Sequence, residues 1–167
     1  MNSNNNNYVN HFPEVARLPY KYLNIISRYS GSSINASAYS PNEKLRHYII
    51  NCHASFNCKK CKKIWTSNLI TVELCWKKGK KQFDVRMYGQ QCKKCNGKYI
   101  RPYISGIEDI IEICVKVLNF DKRDKGTNTN INKNANKQFN SSHDEQRCQK
   151  CKMIGQPCWK QIYKIDA

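Results

Sequence analysis

The sequence predicts a small α+β domain, with an antiparallel sheet built around a β-hairpin, one helix packed on it and a knuckled C-terminal segment. Three observations carry this. Residues 69–87 hold two runs with a side-chain period of two around a Lys-Lys-Gly-Lys-Lys turn. Residues 105–118 open on Ser105-Gly106-Ile107-Glu108, a Ser-x-x-Glu capping pattern, and continue with apolar residues at helical spacing. Cys-x-x-Cys pairs stand at both ends of the hairpin and again near the C-terminus.

Each element has its own warrant. Residues 1–10 are polar and Asn-rich and have too little to bury, so they read as a disordered tail with order beginning near His11. Residues 11–55 form an N-terminal helical and loop segment packing on the core. In it Pro19 interrupts any longer helix, a short helix covers 21–29, and residues 30–40 are a small, polar loop. Pro41-Asn42-Glu43-Lys44 opens a second short helix reaching Ile50, with Leu45, Tyr48 and Ile49 on one face. In the core, 56–120, Ile70, Val72, Leu74 and Trp76 alternate with Thr71, Glu73 and Cys75, which predicts a half-buried strand. Phe83, Val85 and Met87 alternate with Asp84 and Arg86 on the return. After Asn96-Gly97, residues 99–104 form another strand broken by Pro102. The helix that follows carries Ile107, Ile110, Ile111, Cys114, Val117 and Leu118 as a stripe facing the sheet. Residues 121–142, rich in Asn and Lys, form a flexible insertion, and 143–167 return to the same domain.

The cysteines decide the chemistry. A tight Cys-x-x-Cys turn brings two sulfurs to one ion, and two such turns complete a tetrahedral zinc shell with Zn–S near 2.3 Å. Cys58, Cys61, Cys92 and Cys95 flank the hairpin and make the first site; His143, Cys148, Cys151 and Cys158 supply a second. Two Zn2+ ions are therefore expected, in a zinc-ribbon-like hairpin with a second zinc knuckle. Cross-braced sharing of the pairs stays open at this level. Cys52, Cys75 and Cys114 have no partner at ligand spacing; Cys75 and Cys114 read as small buried residues. His11, His47 and His53 read as structural or surface residues, with His53 an alternative ligand beside Cys52.

Ten cysteines would also suit five disulfides, but the N-terminus has neither the basic nor the apolar region of a signal peptide. The expectation is a cytoplasmic, non-secreted protein, at most peripheral to membranes, whose clustered thiols bind metal. The apolar stretch 107–120 is broken by Glu108, Asp109, Glu112 and Lys116, so no transmembrane segment is expected. A formal charge of +17 predicts an acidic partner, although an AT-rich coding bias alone would raise Lys, Asn, Ile and Tyr. The basic residues are mostly Lys, which favours backbone contact over base-specific reading. Lys59, Lys60, Lys62, Lys63, Lys93, Lys94 and Lys98 lie in or beside the metal turns as candidate nucleic-acid contacts, with Trp65, Tyr88, Tyr99 and Tyr103 available to stack on bases.

No catalytic motif accompanies the cysteines. His143-Asp144-Glu145 imitates the His-x-Glu of zinc deaminases, but Cys148 and Cys151 follow too soon for a substrate pocket. Three repeated Cys pairs argue for metal rather than thiol redox chemistry, and His-Glu-x-x-His, Gly-x-Ser-x-Gly and P-loop motifs are absent, so a non-enzymatic module is expected.

Phe56, Cys58, Cys61, Trp65 and Ser67, then Val85-Arg86-Met87-Tyr88-Gly89-Gln90 with Cys92 and Cys95, then the helix and His143, Cys148 and Cys151, together resemble the 3CxxC-type zinc-finger family. That family includes the receptor-transporting proteins and is related to the zygote-arrest proteins. The resemblance implies a zinc-bound β domain acting by binding. In the one subgroup it implies escort of membrane receptors to the cell surface, in the other RNA binding and translational regulation. The chain ends without the hydrophobic tail of the first subgroup, and its last cysteines look more like the second. An RNA-binding or translational-regulatory adaptor is the leading expectation and a receptor escort the alternative; the oligomeric state is not readable.

Overall fold

The computed structural model describes residues 15–35, 45–77, 81–123, 143–155 and Cys158. The elements run β1 (Ala16–Arg17), α1 (Tyr20–Ser30), β2 (Ser33–Ile34), β3 (Arg46–Asn57), β4 (Ile64–Trp76), β5 (Gln82–Met87), β6 (Tyr103–Ile104), α2 (Ile107–Arg123) and α3 (Gln149–Ile154). They form an α+β fold around one sheet in the order β1-β5-β4-β3-β6, with β2 also pairing along β5. All pairings are antiparallel except β2 with β5. Residues 1–10, 36–44, the 78–80 turn and the 124–142 insertion lie outside the described residues.

The long ladder is β3 on β4, from Arg46 opposite Trp76 to Asn57 opposite Ile64, with a bulge between Cys52 and Ala54. The helix expected to reach Ile50 is therefore a strand from Arg46 onward. Leu45, Tyr48 and Ile49 mimic a helical face, but Tyr48, Ile50 and Cys52 also alternate, and they lie opposite Leu74, Val72 and Ile70. Cross-strand pairing on a buried face outweighs a short local periodicity. The strand expected at 69–76 likewise starts five residues earlier, at Ile64.

One face of the sheet carries the apolar core. Ile50, Val72, Leu74, Trp76, Phe83, Val85 and Met87 meet Leu23 and Ile26 of α1 and Ile110, Cys114, Val117 and Leu118 of α2. Burying each Leu, Ile, Val or Phe contributes about 1.5–3 kcal/mol, enough to hold both helices on the sheet. Pro19 sets the start of α1 and Gly31, with φ 61, stops it, its amide bonding to the Ser27 carbonyl at 2.9 Å. The stripe predicted for α2 faces the core, and the helix runs on to Arg123, past the expected boundary at 120. It begins at Ile107, and the Ser105 amide joins β6 to β3 through the His53 carbonyl at 3.1 Å.

The opposite face of β4 and β5 was expected to meet solvent, yet every residue from Thr71 to Trp76 is buried. This side is polar and internally paired. Lys150 of α3 donates to Glu73 Oε2 at 3.2 Å and to the Tyr88 hydroxyl at 3.3 Å, Tyr88 donates to the same carboxylate, and His47 Nδ1 lies 3.0 Å from Glu73 Oε1. Burial alone would raise the Glu73 pKa, but His47, Lys150 and Tyr88 outweigh it and hold the carboxyl well below its usual range. Asp84 is paired with Arg17 at 2.7 Å.

Lys150 and Glu73 are both buried, so removing either leaves the other desolvated with less to compensate it. Lys150→Met is expected to destabilise the zinc-loaded protein by about 3 kcal/mol in urea unfolding, and Lys150→Met with Glu73→Gln to cost less than the two single changes added together. Additive costs would show that the two groups do not act as a pair.

Candidate metal centres

Two turns of the same design build the first centre. In the β3–β4 turn the Lys62 amide bonds to the Cys58 carbonyl at 2.7 Å and the Cys58 amide to the Lys63 carbonyl at 2.9 Å. After β5 the Asn96 amide bonds to the Cys92 carbonyl at 2.8 Å. Lys62 and Asn96 occupy the same place after each Cys pair and both have positive φ, 62 and 45. This left-handed residue turns the chain so that both sulfurs of a pair point to one side. Asn tolerates that conformation better than Lys does.

The four ligand atoms of Cys58, Cys61, Cys92 and Cys95 lie within 4.8 Å of one another. Across the two turns the Cys58 and Cys95 sulfurs are 3.8 Å apart, and those of Cys61 and Cys92 3.6 Å. A disulfide needs about 2.05 Å, whereas the edge of a ZnS4 tetrahedron with 2.3 Å bonds is about 3.8 Å. The donor set fits zinc. Protons are held unequally among these thiols: the Cys61 backbone amide, chiefly, draws Cys58 down to about 6, while its hydrogen bond with Cys61 and burial push Cys95 up to about 12.

The second centre gathers His143, Cys148, Cys151 and Cys158. His143 Nε2 lies 3.3 Å from the sulfurs of both Cys151 and Cys158, and the Cys158 amide donates to Cys151 Sγ at 3.2 Å. A mixed zinc shell has N···S edges of about 3.5 Å, so this set also fits. Burial disfavours the His143 imidazolium, but the Cys158 and Cys151 sulfurs more than offset this and raise its pKa to about 9. The same neighbourhood pulls Cys158 down to about 4, with Cys148 as the largest contributor. A cation is wanted here, and zinc would replace the shared proton.

A short segment joins the centres. Gly89 exchanges bonds with Gln149, its amide donating to Oε1 at 2.8 Å and its carbonyl accepting from the Gln149 amide at 3.0 Å; the Gln91 amide bonds to the Arg147 carbonyl at 3.0 Å. Gln90 exchanges backbone bonds with Ile100, and its side chain links Trp65 Nε1, at 3.0 Å, to the Ser67 hydroxyl, at 3.1 Å. A Cβ on Gly89 would lie 2.5 Å from the Ile100 carbonyl oxygen, so only glycine fits. The ligands thus divide sequentially between the centres, without the cross-bracing that the spacing left open.

A family model for the 3CxxC-type zinc ribbon, described as a zinc-binding domain, matches residues 51–154. The chain belongs to the 3CxxC zinc-ribbon family. No curated protein and no solved structure matches it. All three Cys-x-x-Cys pairs and His143 of this zinc ribbon fall inside the matched residues, whereas Cys158 lies four residues beyond them.

The remaining predicted site residues separate. Lys59, Lys60, Lys62, Lys63, Lys93, Lys94 and Lys98 are all exposed. Of the four candidate stacking rings, Tyr88 is buried on Glu73, Trp65 stacks on Phe56 with ring centroids 5.2 Å apart, and Tyr99 lies under Lys152. Only Tyr103 of the four is exposed, at 78%. His53 is exposed and belongs to neither centre; Cys52 bonds weakly to the Ile70 carbonyl. His47 was expected to be unremarkable, but it meets Glu73 and Cys75. Its place opposite Cys75 in the β3–β4 ladder had no local signal, because 46–50 fits a helix from sequence alone. Glu73 and Cys75 both approach the same nitrogen, His47 Nδ1, so the trio lacks the two-sided imidazole of a nucleophile relay.

Two zincs per chain are expected by native mass spectrometry, with Cys92→Ser losing one and retaining the other. Stripping both is expected to unfold the chain, since a structural zinc contributes about 10–16 kcal/mol of apparent binding free energy. Unchanged near-UV and far-UV spectra of the metal-free protein would contradict this.

Proposed function

We propose that this zinc ribbon is a non-enzymatic RNA-binding adaptor, with the metal centres as scaffold and the lysine-rich turns as working surface. The observation that carries the reading is the distribution of charge. Between Leu45 and Ile107 there are fourteen Lys and Arg but only two carboxylates, Glu73 and Asp84. Both are buried and engaged, Glu73 by Lys150 and Asp84 by Arg17. The stretch therefore offers cations with no acidic side chain of its own between them, although Asp144 reaches Lys93 at 3.9 Å and Asp121 pairs with Arg46 from outside it. A tetrathiolate zinc centre carries a net charge of about −2. Lys59, Lys60, Lys62, Lys63, Lys93 and Lys94 exceed what would offset it.

Lysines on a metal-fixed turn suit a phosphate backbone, since little of the loop has to be ordered on binding. Resemblance to the zygote-arrest proteins supports the same partner class and adds restraint of translation as the outcome. The reading places the protein in a reducing compartment, where its ten free thiols would remain available to metal. Receptor escort remains the second reading.

Affinity for an unstructured RNA is expected to fall steeply with salt, by about 0.7 in log-log slope for each phosphate neutralised. Replacing Lys59, Lys60, Lys62 and Lys63 by Gln should weaken binding and flatten that slope. Absence of binding at low salt, or a salt-independent affinity, would overturn the reading. Co-precipitation of a polytopic receptor by a chain that ignores RNA would favour escort instead.

A further inference from the structure

Beside the first metal centre the sheet presents a face that the core does not use. Tyr103 of β6 pairs with Ser55 of β3, which pairs with Thr66 of β4. Two residues along, Asn57 pairs with Ile64. Because side chains alternate, these five share one side of the sheet, opposite the side where Ala54, Phe56, Trp65 and Ile104 cluster. Tyr103 is 78% exposed and Ile64 67%; Asn57 and Thr66 are exposed too. The knuckle with Lys59, Lys60, Lys62 and Lys63 follows directly, since Lys63 is the residue before Ile64.

The cations gather at the knuckle end of this face, and after Tyr103 the chain runs away from that end, with Ser105 bonded to the His53 carbonyl. An occupant would thus find an aromatic ring and a branched aliphatic side chain on a rigid sheet, cations at one end and no carboxylate between. Phosphates on the lysines and an unpaired base on the ring satisfy both features together. A duplex would meet the lysines but keep its bases stacked away from Tyr103.

We propose that this face is a stacking platform that selects single-stranded over double-stranded RNA, with a base on Tyr103 and the backbone passing Ile64 to reach Lys59–Lys63. The proposal rests on the RNA-binding reading and names the form of RNA and the ring that reads it.

The test uses the full-length zinc-loaded protein and a fluorescent, unstructured RNA of about 12 nucleotides, alone and annealed to its complement. The wild type should prefer the single strand. Tyr103→Ala should weaken single-strand binding about fivefold or more, leave duplex binding unchanged and remove the preference; Tyr103→Phe should stay within about twofold of wild type. Zinc content and far-UV spectra should match wild type, because the side chain is outside the core. If Tyr103→Ala binds the single strand as wild type does while the lysine variants weaken it, the platform is refuted and RNA binding stands. A wild type that prefers the duplex also refutes the platform. A wild type that binds neither form overturns both readings.

Discussion

The arrangement depends on bringing the two ends of a long strand excursion back to one point. Cys58 and Cys61 sit where β3 turns into β4, and Cys92 and Cys95 arrive only after β4 and β5 have run out and back. Four sulfurs 3.6–3.8 Å apart across the turns repel one another once ionised. A divalent soft cation removes that repulsion. Once that point is fixed, the segment between Tyr88 and Cys92 is fixed as well. Gly89 can then approach the Ile100 carbonyl closely and take the Gln149 side chain, which seats the second centre.

The second centre is consequently an integral part of the sheet rather than a finger hung from it. Its helix α3 starts at the residue after Cys148 and sends Lys150 to Glu73 on β4. The polar side of the sheet is a closed set of pairs, with desolvated charges that are tolerable only because each has its counterpart. The sheet has an apolar side under two helices and a polar side under a metal knuckle. Its basic surface lies beyond them, at the metal-bearing end.

Legibility in the sequence followed the range of the interactions. The Cys pairs, the return strand and the α2 stripe are written locally, in spacing and periodicity, and are found where expected. The strand nature of 46–50 is not local: it depends on a ladder to residues 72–76, and a few apolar positions fit a helix equally well. Glu73, Asp84 and Lys150 were opaque for a related reason. Charged residues alternating with apolar ones normally mark a solvated face. Here the covering group comes from 77 positions away in the chain. The lysines could be named from sequence, but the burial of Tyr88 and Trp65 and the exposure of Tyr103 could not, because each depends on what packs over the ring: Glu73 and Lys150 on Tyr88, Phe56 on Trp65, solvent on Tyr103.

Two zinc ions, one bound by four sulfurs and one by three sulfurs and an imidazole, hold this chain in its fold. Zinc K-edge X-ray absorption of the purified protein tests it most directly, because it counts donors without altering them. An average shell of seven sulfurs to one nitrogen is expected over the two ions, as the two quartets supply them, with Zn–S at about 2.3 Å and Zn–N at about 2.0–2.1 Å. A shell dominated by oxygen or nitrogen, or an all-sulfur shell from a single zinc per chain, would contradict it.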